Sequence, residues 1–484
     1  HSFPTRRSSD LHTMHQFSFI VLFGIIGYTF FLWGVLRLCF SVSLQKDKIL
    51  SKYFNIGFFL KISMGVFFAL MYEFIYAWGG DTFYYFTNSC QLSKTLWQSP
   101  MSYFKILFDL VDVNNINSID TTFYHPLRYK GNASNLYNIH RFLSPFAILG
   151  LRNYYLMGVV LNSFLYALNF KVFKFVLDNL NESDKYKNIT FISFLCIPSA
   201  LLFSSGLVKD SFCYTFSLLM IVYLYRLFFL HKITLGNILK VLFCFYIVYS
   251  LKPYLLFVFL GSFILWFGFS FLYRVKNAIL RVFVFPILMF GIVGVIIYGS
   301  SFLGSQLGGK YSNIDSMVGS ASESQMDLKR DYYQGHSFDI GEYDDLEGMI
   351  SLSPLAIIAG LYRPFIWESK NIGMVMSGIE NTILLFLTFY LLFVVKPKYI
   401  ISLLKNNLFL FFCLILAILL SFAIGITTSN FGALVRFKIP LIPFFFYALL
   451  YIYKNYHITQ KEANNLKKTA KKLTVCKTDF LTRQ

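Results

Sequence analysis

Long apolar stretches alternate with short polar ones along the whole chain. Runs of roughly 16–24 residues, nearly free of charge, lie near 17–40, 57–78, 153–177, 188–204, 210–230, 235–250, 254–273, 282–299, 373–395, 407–426 and 434–453, and a helix of about 20 such residues crosses a bilayer. The pattern predicts an all-α polytopic integral membrane protein with about 11 transmembrane helices and no soluble domain, since helices satisfy their own backbone polar groups in lipid. A further apolar piece at 350–366 contains Pro354 and Pro364. It is too short to cross alone and is predicted to be re-entrant or interfacial.

Composition sharpens this. Of 484 residues 56% are apolar, 20% aromatic and only 14% charged, against about 25% charged in soluble domains, so a water-soluble enzyme is excluded. The net charge of +19 must therefore be carried by few residues in particular places. The first thirteen residues, HSFPTRRSSDLHT, differ in composition from the rest and resemble translated sequencing-adapter sequence. Met14 is taken as the start, residues 14–453 as one membrane domain, and 17–40 as a retained span rather than a cleaved signal. The seven cysteines show no CxxC spacing, and no disulfide framework or zinc site is expected.

The connections alternate in charge. One set holds Lys46, Lys48 and Lys52; Lys185 and Lys187; Lys232; Arg274, Lys276 and Arg281; and Lys396, Lys398 and Lys405. The positive-inside rule makes these cytoplasmic, and the basic tail 454–484 joins them. An odd number of spans then puts the N-terminus outside. The opposite set contains two long extracytoplasmic loops, 79–152 and 300–372, the second Gly/Ser-rich and acidic over 300–350 and suited equally to a lid or to a plain flexible connector.

Basic residues on that opposite side are not explained by topology. They include Arg128, Arg141, Arg152, Lys209, Lys252, Arg363, Arg436 and Lys438. Four sit in short passages with Pro or Gly: SSGLVKD, SLKPY, LYRPFIWES and LVRFKIPLIP. Broken helix ends beside a fixed cation suit an anion, because free backbone N–H groups add to the charge; a lone Lys or Arg at a span end also snorkels to headgroups. The acidic candidate is Asp81 in WGGDTFYYFTNS, where Tyr84 and Tyr85 follow at helical spacing on the same face. Such a carboxylate serves as a general base, a metal ligand or a helix cap, and the tyrosines as a stacking surface or an interfacial belt. Glu73 and Glu380 lie inside spans, where carboxylates mark function or interhelical pairing.

At these residues the chain resembles known families. Two spans followed by a loop opening GGDTFYY are similar to the EpsG-type and Wzy-type bacterial polysaccharide polymerases and to the GT-C glycosyltransferases. LVRFKIPLIPFFF resembles the Arg-Tyr-x-x-Pro-x-x-Pro pattern of a late GT-C span; Thr82 stands where a GT-C Asp-Glu motif has Glu, which favours the polymerase. The resemblance implies a GT-C/Wzy-like fold in the bacterial inner membrane. It also implies a sugar chain on undecaprenyl pyrophosphate as donor and a lipid-linked sugar hydroxyl as acceptor, in O-antigen, capsule or exopolysaccharide synthesis. In that reading Asp81, Arg436 and Arg363 are catalytic. Lys209, Lys252, Arg141, Tyr84, Tyr85, Trp78 and Trp367 bind substrate. No metal, nucleotide cofactor or nucleic acid is called for, and other polysaccharide-assembly membrane proteins are expected partners. A lipid-linked oligosaccharide flippase or other secondary transporter is the competing class; it would show two matching halves, and no internal repeat is found.

Overall fold

The computed structural model describes residues 18–76, 80–108, 134–180, 183–274, 314–330 and 337–481. Among these, every regular element is helical, with a lone β-bridge between Ser337 and Asn430. The predicted span 282–299, residues 1–13 and Trp78 lie outside the described residues.

The first helices are α1 (Phe19–Cys39), α2 (Ser41–Lys46) and α3 (Lys48–Leu70), the last continued by a π-helical turn, Met71–Ile75. The expected first long loop contains α4 (Asp81–Gln98), α5 (Pro100–Leu107) and α6 (Ser134–Leu149). Next come α7 (Tyr154–Asn179), α8 (Lys187–Leu195), α9 (Pro198–Phe203), α10 (Lys209–Phe228), α11 (Leu235–Leu251) and α12 (Pro253–Arg274). The rest comprises α13 (Ile314–Lys329), α14 (Leu346–Ser351), α15 (Ser353–Tyr362), α16 (Ile372–Val394), α17 (Pro397–Asn406), α18 (Leu408–Thr427), α19 (Phe431–Phe437) and α20 (Ile442–Leu481).

Short polar side chains start the apolar helices. Asp47, Asn153, Thr234, Asn371, Asn407 and Asn430 each accept a first-turn backbone N–H, and Pro198, Pro253 and Pro397 occupy first helical positions where a missing N–H costs nothing. Among the described residues seven helices are long and apolar enough to cross a membrane: α1, α3 with its π turn, α7, α10, α12, α16 and α18. An eighth arises if α19 and α20, bent by 71°, form one broken span. The predicted span 188–204 is two short helices, α8 and α9, broken at Cys196, and 235–250 is the shorter apolar helix α11.

The bundle has two chemically different ends. At one, Lys187 pairs with Asp47 at 3.4 Å, Lys185 with Glu462 at 3.4 Å, and Asn455 donates to the Tyr186 hydroxyl at 2.8 Å. The connection at Asp47, the connection holding Lys185 and Lys187, and the start of the basic tail thus meet there. The opposite end collects the start of α4, the start of α10, the α11–α12 junction and α19.

Helix α15 is ten residues long, about 15 Å, half a bilayer. It packs on α18 through two glycines: a Cβ on Gly425 would lie 2.0 Å from the Ala356 carbonyl oxygen, and one on Gly360 2.2 Å from that of Ser421. Backbone-to-backbone contact of this kind binds helices where lipid supplies no hydrophobic drive. It also fixes where α15 ends, at Arg363.

Candidate functional site

Asp81 is the first residue of α4, after Gly80 at φ +93°. A Cβ on Gly80 would sit 2.8 Å from the Tyr72 ring, so both the conformation and the space require glycine. The turn places the carboxylate in the first turn of an 18-residue helix, where the dipole favours negative charge. Tyr72 belongs to the π-helical turn, an irregularity common at functional sites.

A second carboxylate meets it from α10. The preceding loop is pinned by buried Lys61, which donates to the Ser204 carbonyl and hydroxyl at 2.6 Å each, and by Asn162, which donates to the Ser205 carbonyl at 2.8 Å. Asp210 then lies 3% exposed in the first turn of α10. Lys252, which ends α11 immediately before Pro253, donates to Asp210 Oδ1. Arg436 from α19 donates to Asp210 Oδ2 through Nε at 3.1 Å and Nη2 at 2.9 Å, and its Nη1 faces Asp81 Oδ2 at 3.6 Å. One guanidinium therefore bridges two carboxylates of opposite character. The Asp210 side chain is 3% exposed and the Asp81 side chain 56%.

Lys209 adds a third cation. It is half-buried, lies within electrostatic reach of Asp81, Asp210, Lys252 and His140, and has no hydrogen bond or ion pair among the described residues. Three cations and two carboxylates leave one positive charge over. Tyr85 is buried here, and burial followed by the Asp81 charge pushes its phenol upward, so it stays protonated. Tyr84 and Tyr85 both touch His140, with ring centroids 5.2 and 5.9 Å away. His140 is 1% exposed with neither ring nitrogen hydrogen-bonded. Burial, then the charge of Lys209, brings its imidazole down to about 3.

Three other sequence candidates lie apart from this cluster. Arg141 is fully buried and ties α6 to its neighbours: it donates to the Tyr246 hydroxyl at 3.1 Å, the Ile106 carbonyl at 3.4 Å and Asn138 Oδ1. Arg363 forms a bidentate pair with Glu368, with contacts of 2.5 and 3.0 Å to Oε1, and lies over the rings of Phe338 and Phe431 at 4.7 and 5.1 Å. Trp367 is exposed and stacks on Phe365 at 4.8 Å. Lys438 is buried and donates to Asn381 Oδ1 at 2.5 Å and to the Arg363 carbonyl at 3.0 Å. Intramembrane Glu380 accepts from the Ser199 amide at 2.7 Å, capping the broken helix α9.

The segment after residue 336 straps across this end. The Phe338 amide donates to the Ser429 carbonyl at 2.9 Å, Phe338 stacks on Phe431 at 4.9 Å, and the Tyr343 hydroxyl donates to the Ile426 carbonyl at 3.2 Å. Phe431 and Arg436 share α19, so the strap and the Arg436 cluster rest on one short helix.

Asp210, His140 and Tyr72 are not among the sequence candidates; the structure adds them. In sequence Asp210 is marked only as the partner of Lys209 in the Lys-Asp pair that ends SSGLVKD. Among the described residues no three His, Cys, Asp or Glu side chains are grouped to hold a metal ion. A half-open carboxylate, a guanidinium locked by a buried one, and an uncommitted ammonium form a site able to hold an anionic group beside a hydroxyl. A scan against protein-family models, a search of curated proteins and a search of solved structures each returned no match.

Proposed function

We propose that the protein is a membrane glycosyltransferase of the polysaccharide-polymerase type, acting on polyprenyl-pyrophosphate-linked sugars at the extracytoplasmic face of a bacterial inner membrane. One observation carries the reading: Asp81, Asp210, Lys252 and Arg436, up to 355 residues apart in the chain, close into one ion cluster at the bundle end opposite the basic pairs of Lys185 and Lys187. The positive-inside rule makes the basic end cytoplasmic, which leaves the cluster outside, where lipid-linked sugar chains are joined. Eleven spans with an outside N-terminus belong to this proposal, as does the EpsG/Wzy-like or GT-C relationship.

The chemistry follows from the charges. The acceptor hydroxyl oxygen attacks the anomeric carbon, the bond from that carbon to the phosphate oxygen breaks, and its electron pair stays on the departing pyrophosphate. Asp81, the accessible carboxylate, takes the hydroxyl proton. Arg436, Lys252 and Lys209 stabilise charge growing on the leaving group, where preorganised cations contribute most. Arg363 serves the site by holding the strap against α19, with Trp367 at its edge.

The test uses purified protein with lipid-linked repeat units, reading product chain length on a gel. Asp81→Asn and Arg436→Ala are expected to abolish elongation while the protein stays inserted. Undiminished elongation by both variants refutes the assignment. The buried charges Lys61, Glu380 and Lys438 favour a transporter as the second reading, and movement of lipid-linked substrate across vesicles without change in glycan length would establish it.

A further inference from the structure

Among buried polar side chains near the cluster, His140 stands out. Both of its ring nitrogens are buried and without a hydrogen-bond partner, although a buried polar group left unpaired has its desolvation cost uncompensated. It is flanked on one side by the rings of Tyr84 and Tyr85. The charge of Lys209, the one cation of the cluster without an ion pair among the described residues, reaches it. A neutral imidazole offers one donor and one acceptor, which a sugar hydroxyl satisfies together. An ammonium offers three donors and a charge, which suits a phosphate oxygen.

Resting on the glycosyl-transfer reading, we propose that His140 and Lys209 form the recognition subsite for the sugar attached directly to phosphate in the donor. Lys209 holds an oxygen of the phosphate, His140 exchanges hydrogen bonds with a hydroxyl of the same sugar, and Tyr84 presents its ring to the sugar's face. Asp210 holds Lys252 and Arg436 in fixed positions for the charge that grows on the leaving group, while Lys209, without such a partner among the described residues, is placed to take the bound phosphate. The ligand class is thus a glycosyl phosphate rather than a bare anion.

The experiment uses the full chain in nanodiscs with ring-15N-labelled histidine, the His140 signals assigned by their loss in His140→Phe. Glucose 1-phosphate is titrated as probe, with inorganic phosphate and a change of lipid from phosphatidylcholine to phosphatidylglycerol as separate arms. A saturable shift of the His140 signals by glucose 1-phosphate, with apparent Kd raised about tenfold in Lys209→Gln, is the expected result. No shift at any concentration overturns the proposal. So does a full shift produced by inorganic phosphate alone, or one seen only on changing the lipid. Binding by wild type without any glycan elongation would keep this subsite and refute the transferase reading. Elongation by His140→Phe at the wild-type rate with no shift in the wild-type protein would do the reverse.

Discussion

Asp210 and Asp81 share one arginine, yet they should fail in opposite ways when neutralised. Asp210→Asn removes the counter-charge that Lys252 and Arg436 share, with side-chain exposures of 3% for Asp210, 11% for Lys252 and 24% for Arg436. Breaking one partner of a buried ion cluster costs about 3–5 kcal/mol, because the remaining charge stays desolvated. Arg436 retains Asp81 at 3.6 Å, so the loss should fall near the lower limit, about 3 kcal/mol. Asp81→Asn, at a 56% exposed side chain, removes a pair of the surface kind worth about 0–1 kcal/mol. Equilibrium unfolding in mixed micelles, titrated with a denaturing detergent, reads both. Adding Lys252→Met to Asp210→Asn should restore part of the stability, since it removes an uncompensated buried charge. The reasoning is refuted if Asp210→Asn lies within 1 kcal/mol of wild type, a bound set by the surface-pair range, or if Asp81→Asn costs as much.

Two further predictions follow from the same end of the bundle. His140 titrates near 3 in the folded chain and near 6.5 when exposed, so between those values the unfolded state binds more protons. Stability is then full above about pH 6.5 and declines as pH falls toward 3, by at most about 1.4 kcal/mol per pH unit; unfolding at pH 7.5 and pH 5 should show this slope in wild type and a flatter one in His140→Phe. Arg363→Leu removes a guanidinium from over Phe338 and Phe431, contacts worth about 0.5–1 kcal/mol each. Hydrogen exchange at the strap amide of Phe338 should accelerate roughly tenfold, and unchanged protection would show that the strap is held by other means.

Much of the fold is readable from sequence because the signals are local. Asp47, Asn153, Asn371 and Asn407 announce helices one residue ahead, and the runs after them bury as apolar helices do. The break at Cys196 is less visible, since apolar character continues through it; Pro198 marks it, but what makes it tolerable is Glu380, 181 residues away, capping the new helix start. The site divides in the same manner. Asp81, Arg436, Lys252 and Lys209 are legible as charges at helix ends, and the structure brings them together. Asp210 reads as an ordinary polar flank until partners 42 and 226 residues distant are placed on it. Arg363 and Arg141 look like site cations from sequence, yet their guanidiniums are spent on Glu368 and on Tyr246 and Asn138. Sequence shows that a charge exists, and only packing shows whether it is committed.

Helix α20 runs for 40 residues without a break from Ile442 to Leu481, about 60 Å, twice the depth of a hydrocarbon core of about 30 Å. It begins just past the 71° bend that follows α19 and continues beyond the basic end. A disordered tail of comparable length would buffer any tug on it, its ends wandering as the square root of its length. A continuous helix instead behaves as a stiff rod whose inner end begins six residues after Arg436, past the bend. A pull on its far half is therefore delivered to the bundle along a stiff rod rather than lost in a slack tether.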